Sequence, residues 1–429
     1  MRGLISLVSF FALAGVAAAW DRYTIRDIGS LPDGNATYAN AINRAGLVVG
    51  FTYLTHDGGI NAPSPVYYHD DKLVNLGDTG GAEGINDQNH VVGFLYNSLA
   101  SSDFHAFYHE HGHTHDLGTL PGDQDSSAYG INEHNVIGGY SASDHVHAFV
   151  YDGVMHSLGT LPGDTDSIAA GISNPGQIVG QSYKTMQSGN SGYSPGHAFL
   201  YEHGHMHDIG SLPQTNVSSA AAINEGGRIV GADYYASLTD AGPSHAFLYD
   251  GTMHDLGTLG GAQRYATAIN KSGVVVGSSA IAGDPSNPRS DAFVYRDGKM
   301  RDLNGRINLS KTTWTQLWQA NGINVRGQIT GWGFNANGLR SFILTPVPVA
   351  MEELVDQLSG TPGAEVALGY AEIAKTTYDV EDLPSACSNI ASVLKHFPIV
   401  ETSAASVARI SVGATAISIA MDCDSEVPQ

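Results

Sequence analysis

The sequence predicts a seven-bladed β-propeller, closed by its own N-terminal strand and followed by a small helical domain. Three observations carry that reading. One motif recurs seven times, with Ile-to-Ile spacings of 41 to 54 residues. Each period holds four short strand signals, and the fourth-strand motif is displaced by one copy from the others. The copies run Ile42-Asn43 to Gly50, Ile85-Asn86 to Gly93, Ile131-Asn132 to Gly138, Ile172-Ser173 to Gly180, Ile223-Asn224 to Gly231, Ile269-Asn270 to Gly277 and Ile323-Asn324 to Gly331.

Taken in chain order, residues 1–19 read as a signal peptide. Arg2 precedes an apolar stretch from Leu4 to Val16, and Ala17-Ala18-Ala19 supplies a small-residue cleavage site. The stretch is shorter than a membrane span, and the C-terminal Asp422-Cys423-Asp424-Ser425-Glu426 is too polar for a removable lipid-anchor signal. A secreted, extracellular protein is therefore expected. The propeller is placed at residues 20–346. In its third repeat, strands are expected at Ala128 to Asn132, Val136 to Tyr140, His147 to Tyr151 and Val154 to Gly159. Asp152-Gly153 is a two-residue hairpin turn that recurs at Asp250-Gly251 and Asp297-Gly298. No helical period is sustained between Tyr23 and Thr345, so no helices are expected there.

The fourth strand reads Leu/Ile-Gly at Leu76-Gly77, Leu117-Gly118, Leu158-Gly159, Ile209-Gly210 and Leu256-Gly257, with Leu303-Asn304 as a departing copy. A further copy, Asp27 to Pro32, stands alone near the N-terminus, while the last repeat ends at Phe342-Ile343-Leu344 without one. The strand Tyr23 to Leu31 is therefore expected to complete the last blade. Closure of that kind protects strand edges that would otherwise template aggregation.

His105-Ala106-Phe107, His147-Ala148-Phe149, His197-Ala198-Phe199 and His245-Ala246-Phe247 resemble the signature of the extracellular HAF repeats. Asp291-Ala292-Phe293 departs at the His, Arg340-Ser341-Phe342 keeps only the Phe, and Val66-Tyr67-Tyr68 keeps none. Leu117 to Pro121 and Leu158 to Pro162 are similar to a second hallmark of that family, Leu-Gly-Thr-Leu-Pro. The resemblance covers roughly residues 23–346 and implies a secreted repeat protein, in a family defined by fold rather than by activity.

Composition changes at Thr345-Pro346-Val347-Pro348, beyond which helical spacing appears at Leu354, Val355 and Leu358, at Val366, Leu368 and Ile373, and at Ile390, Val393 and Leu394. Pro362 and Pro384 suit first helical turns, and Ser403 to Met421 is long enough to favour helix. Residues 350–429 are thus expected to form a helical domain. Its Cys387 and Cys423, the chain's two cysteines, are expected to pair in an exported protein. Ala386 to Ile390 also resembles a helix of small C-terminal helical domains in secreted proteins. Asn35, Asn216 and Asn308 begin glycosylation sequons.

A net charge of −22, from 42 acidic and 20 basic residues, sets the chain against phosphate backbones and anionic membranes, so neither nucleic acid nor membrane insertion is expected. The chain has no nucleophile elbow, phosphate loop, dinucleotide fingerprint or HExxH helix. What it offers instead is an aromatic series leaving the second strands: Tyr53, Tyr96, Tyr140, Tyr183, Tyr234 and Phe334, with Phe51, Phe94 and Trp332 two residues before their neighbours on the same face. The loops that follow vary most from repeat to repeat (52–64, 97–103, 184–196, 236–244 and 280–290). Rings beside variable loops on a rigid ring form a ligand-binding rim or pack beneath those loops.

The His of the His-Ala-Phe copies is expected to serve the blade itself, as by bonding a neighbouring backbone. His109, His111, His113 and His115 crowd one hairpin tip, echoed by His203, His205 and His207, and imidazoles suit Zn²⁺ or Cu²⁺. Asp123, Asp125, Asp164 and Asp166 form two Asp-x-Asp-Ser loops that suit Ca²⁺ or a turn at the start of a strand. No cofactor is otherwise implied. The expected function is a binding module for extracellular glycans or proteins; a glycan-cleaving hydrolase or lyase and a structural surface component are the alternatives.

Overall fold

A computed structural model describes residues 22–423, except 57–59, 78, 99–101, 185–195, 237–240, 284–288, 360, 362–363, 380–382 and 397–403. The signal-peptide region and Pro362 lie outside the described residues, as do parts of the five variable loops. Seven four-stranded antiparallel sheets are present among the described residues, and the strands of the first six follow in chain order. In the seventh, Tyr23–Asp27 pairs beside Gly338–Pro346, which continues to Ile329–Asn335 and Trp314–Ile323. The chain is a seven-bladed β-propeller closed by its N-terminal strand. The Ile28 amide donates to the Ser341 carbonyl at 3.0 Å, and Asn335 Nδ2 to Asp27 Oδ2 at 2.7 Å, which extends the closure past the last ladder bond. Two short 3₁₀ turns, Leu303–Arg306 and Leu309–Lys311, interrupt the otherwise all-β region where no helix was expected. They follow the departing Leu303-Asn304 copy of the fourth-strand motif.

The repeated residues hold blade to blade. In five turns the buried Asn accepts the amides of residues two and four further on, as Asn43 Oδ1 does from Ala45 at 3.1 Å and Leu47 at 3.0 Å, and in a sixth Asn270 accepts that of Val274. That leaves its Nδ2 free to donate to the same residue's carbonyl in the next blade: Asn43 to Asn86, Asn86 to Asn132, Asn132 to Ser173, Asn224 to Asn270, Asn270 to Asn324, and Asn324 back to Asn43. Ser173 has no such donor, and there Asn174 bridges to Glu225 instead. The apolar core lies between blades. Val92 and Ala106 of the second pack with Ala128, Ile131, Ile137 and Phe149 of the third across the connecting Leu120.

Every inner strand carries a β-bulge just past the same alanine, between Ala39 and Ala41, Ala82 and Gly84, Ala128 and Gly130, Ala169 and Gly171, Ala220 and Ala222, Ala266 and Ala268, and Ala320 and Gly322. The bulge brings an inner-strand carbonyl onto the second strand. A Cβ on Gly50, Gly93, Gly139, Gly180, Gly231, Gly277 or Gly331 would overlap that oxygen. This is why the β-branched pair ends in glycine.

The register corrects two alignments drawn from the sequence. Gly139, not Gly138, is the third repeat's counterpart of Gly93. Val66, opposite Gly50, takes the Phe position of the first repeat, so Ser64-Pro65-Val66 is its version of His-Ala-Phe. The His of that motif also has a partner other than backbone. His105, His197 and His245 bond Asp116, Asp208 and Asp255 of the neighbouring outer strand at 2.9, 2.8 and 2.7 Å. The same carboxylates accept the amides of Gly118, Gly210 and Gly257, fixing the turn that leaves the blade. In the third repeat Ser157 replaces the Asp, and His147 turns to Asp123.

Four helices follow: α1 (Val347–Ser359), α2 (Glu365–Asp379), α3 (Leu383–His396) and α4 (Ala404–Ala420). With residues 22–26 and 304–313 they form a compact unit of their own. Its core holds Leu354, Leu358, Tyr378, Ile390, Val393, Ile410 and Ile417. Cys387 and Cys423 form a disulfide with their Cα atoms 5.5 Å apart, pinning α3 to the third residue after α4. No described helix is long and apolar enough to cross a membrane.

Candidate ligand-binding face

The bulges decide which side chains line the axis. A bulge adds one residue to a strand and re-aims it; here the added residue is Asn40, Glu83, Tyr129, Ala170, Ala221, Thr267 and Asn321 in blade order. Three of them reach the bulge of the next blade. Asn321 Nδ2 donates to the Ala39 carbonyl at 2.8 Å, Thr267 Oγ1 to Ala320 at 2.7 Å, and Asn40 Nδ2 to both Ala82 at 3.1 Å and Glu83 Oε2 at 2.9 Å. Five of the seven are polar, with one carboxyl among them, and Ala170 and Ala221 interrupt the lining.

Beside that lining stand aromatic rings from first, second and third strands. Trp318 stacks on Trp332 at 5.9 Å between centroids, Trp332 meets Tyr38 edge-on at 5.8 Å, and Tyr38 stacks on Phe51 at 5.0 Å. Tyr53 and Phe334 close this group at its margins. In the second blade Phe94, Tyr96 and Phe104 form a triangle with sides of 5.5 to 5.8 Å. In the third, Tyr129 packs on Tyr140 at 5.7 Å. Tyr140 is raised chiefly by burial and also by Tyr96, and Tyr183 in turn by burial, Asp166 and Tyr140, so the series runs on across the second, third and fourth blades.

All six rim residues from the sequence, Tyr53, Tyr96, Tyr140, Tyr183, Tyr234 and Phe334, are half-buried. Five hold one register position near the second-strand exit, whereas Tyr140, opposite Ser127, matches Phe51 and Phe94. The rings that sequence reasoning missed, Tyr38, Trp318, Phe104 and Tyr129, lie on first and third strands. Cross-strand register, which no linear offset reveals, brings them to the same face.

Glu83 is the charged group beneath these rings. Burial raises its carboxyl from the ordinary 4.5 to about 7, and no neighbouring acid contributes. Its charge acts in turn on Tyr129 and Tyr140. The folded chain therefore holds a proton that the unfolded chain releases from about pH 4.5 upward. The stability this group contributes is full below pH 4.5 and is lost as pH rises through 7. Glu83→Gln is expected to remove that decline, raising the melting temperature at about pH 8 by the equivalent of on the order of 1–3 kcal/mol, with little change at about pH 4. Parallel pH profiles for the two proteins would contradict the assignment.

The paired aspartates are occupied by protein donors. Asp125 and Asp166 accept the amides of Phe104 and Val146, Asp123 faces Ser143 and His147, and Asp164 accepts Ser182 Oγ. They order the starts of inner strands, and the structure gathers none of them into a metal-ligand group among the described residues. Asn308 Nδ2 donates to Asp422 Oδ1 at 2.9 Å, a bond that glycosylation there would break. Asn216 is half-buried, and the side chain of Asn35 lies outside the described residues.

The chain matches no family model and no curated protein sequence. Among solved structures it is similar to the β-propeller domain of the Trilobed protease from Pyrococcus furiosus, at 12% identity and a TM-score of 0.45 over 72% of this chain and 95% of that one. It is similar to a puromycin-hydrolyzing peptidase from Mycobacterium tuberculosis at 11% identity and a TM-score of 0.44, covering 75% of this chain and 54% of that one. A sialidase from Trypanosoma rangeli matches at 12% identity and a TM-score of 0.36, covering 77% and 59%. This likeness is one of fold alone.

Proposed function

We propose that the chain is an exported propeller of the HAF-repeat kind that binds extracellular glycan at the aromatic mouth. The observation that carries the reading is the run of half-buried rings on one face, from Trp318 through Trp332, Tyr38 and Phe51 to the Phe94–Tyr96–Phe104 triangle. Flat rings with polar tips suit the apolar faces of sugars, and Asn40, Asn321 and Thr267 supply a polar floor for hydroxyls. A net charge of −22 favours neutral over anionic glycans.

Cleavage is the second reading, because a carboxyl raised to about 7 is a competent proton donor near neutrality. Glycoside hydrolysis ordinarily needs a pair of acids, and Glu83 is shifted by burial with no second acid acting on it. Binding is therefore the reading the geometry supports best. A glycan-array screen of the mature chain is expected to show a family of neutral oligosaccharides. Tyr96→Ala and Tyr183→Ala are each expected to weaken the best of them by about 1–3 kcal/mol with little change in melting temperature. No glycan bound, or variants that unfold, would overturn it. Release of reducing ends that stops in Glu83→Gln would establish cleavage in its place.

A further inference from the structure

We propose that the second blade carries a site for a divalent metal of the zinc class, formed by His90, Glu110 and His111. His90 Nε2 and His111 Nδ1 each lie 3.8 Å from Glu110 Oε2, and one donor atom from each residue falls within 4.8 Å of the other two. Tetrahedral Zn²⁺ with bonds of about 2.0–2.2 Å holds its ligand atoms roughly 3.3 Å apart, so side-chain adjustments of about 0.5 to 1.5 Å close the set. His115 stands beside it, its Nε2 3.7 Å from Glu110 Oε1. Of the four hairpin histidines, His111 alone joins the cluster. The buried His90, from the turn between the first two strands, supplies the ligand that the hairpin tract could not show.

The hydrogen-bond network fixes the tautomer of His90. Asn86 Oδ1 accepts the amides of Gln88 at 3.1 Å and His90 at 3.0 Å, so its other terminal atom is the amide nitrogen. That nitrogen donates to Asn135 at 2.9 Å, which makes the facing Asn135 atom the oxygen. His90 Nδ1, 2.8 Å from the same oxygen and 2.9 Å from the Tyr108 hydroxyl that donates to Glu110, then carries a proton and donates it. In the neutral ring Nε2 then holds a lone pair directed at a carboxylate that already accepts from Tyr108 at 3.0 Å. A metal-binding histidine is held in just this way, its other ring nitrogen donating to an oxygen.

The fourth blade shows the alternative. Gln177 stands where His90 does and donates directly to Glu202 at 2.7 Å. In the second blade His90 Nε2 and the Glu110 carboxylate stand 3.8 Å apart with no direct hydrogen bond, a spacing that a cation held between them fills. Glu110 and His115 also line a groove of about 510 Å³, together with Tyr108, His134 and Tyr151, so a three-ligand ion there has an open position for water or His115.

The test is equilibrium dialysis of the untagged full chain against Zn²⁺, with the bound metal quantified. One ion per chain is expected, with a Kd on the order of micromolar. Glu110→Gln and His111→Ala are expected to weaken binding at least about tenfold. His109→Ala and His113→Ala, in the same hairpin, are expected to leave it unchanged. His111 is exposed, and melting without zinc shows whether its variant remains folded. Absence of binding, binding that survives both Glu110→Gln and His111→Ala, or equal losses across all hairpin histidines would overturn the site. None of these outcomes bears on glycan binding at the channel mouth.

Discussion

Removal of residues 22–32 is expected to open the ring and drive the protein into aggregates. The deleted segment contributes the outer strand of the seventh blade and the buried side chains of Tyr23 and Ile28. It also takes away the Gly29 carbonyl that Thr37 of the first blade bonds at 2.9 Å. Ladder bonds worth about 1 kcal/mol each and two buried side chains worth about 1.5–3 kcal/mol each make the loss on the order of 5 kcal/mol or more. That is comparable to the whole stability of many domains. It also leaves Gly338–Pro346 as an unpaired edge. Size-exclusion chromatography with static light scattering should show large species. Added peptide of residues 22–32 should restore the native size, whereas a truncated chain with native melting and native size would mean that the strand does not close the ring.

The second large effect is expected at a second-strand glycine. A Cβ on Gly180 would overlap the Ile168 carbonyl; Gly180 lies on a strand fixed on both sides by the ladder, and Ile168 on the inner strand paired to it. Neither can withdraw without breaking the bulge at Ala169–Gly171. Gly180→Ala is therefore expected to cost about 3–5 kcal/mol, the scale of overpacking combined with lost backbone bonds. Gly283→Ala is the control, because a Cβ there meets nothing within 4 Å and its effect should stay within about 0.5 kcal/mol. Denaturant midpoints of the two variants test the comparison. Equal midpoints would show that glycine ends the motif for a reason other than the bulge.

The architecture was legible because a closed ring repeats one set of constraints. The Asn latch needs the same residue in each turn, the bulge needs the same glycine, and the displaced Asp27 to Pro32 copy marks the closing strand. What stayed hidden lies between strands. The bulge leaves no trace in spacing, so neither Glu83 nor Tyr129 stood out as an axial residue. The Gly138-Gly139 doublet offered two registers, and the wrong choice made Tyr140 look like a displaced rim residue. Most of the aromatic face was visible as an offset from those glycines; Tyr38 and Trp318 come from inner strands and join it only through pairing. His90 and Glu110 are separated by a whole second strand and a hairpin arm, so the hairpin tract drew attention to histidines that the fold disperses.

The propeller has a second channel mouth, formed by the Asn turns and lined by Arg44, Asp87, Glu133, Glu225 and Lys271. The two mouths give the proposed function its most direct test. The tightest glycan from the screen should be titrated by calorimetry into the wild-type chain, into Tyr38→Ala/Trp332→Ala on the aromatic mouth, and into Arg44→Ala/Lys271→Ala on the opposite one. The account predicts a loss of at least about 30-fold for the aromatic pair, from two stacking rings at about 1–3 kcal/mol each, and unchanged affinity for the charged pair. Affinity that survives loss of both rings, or falls with the charged pair instead, would contradict it.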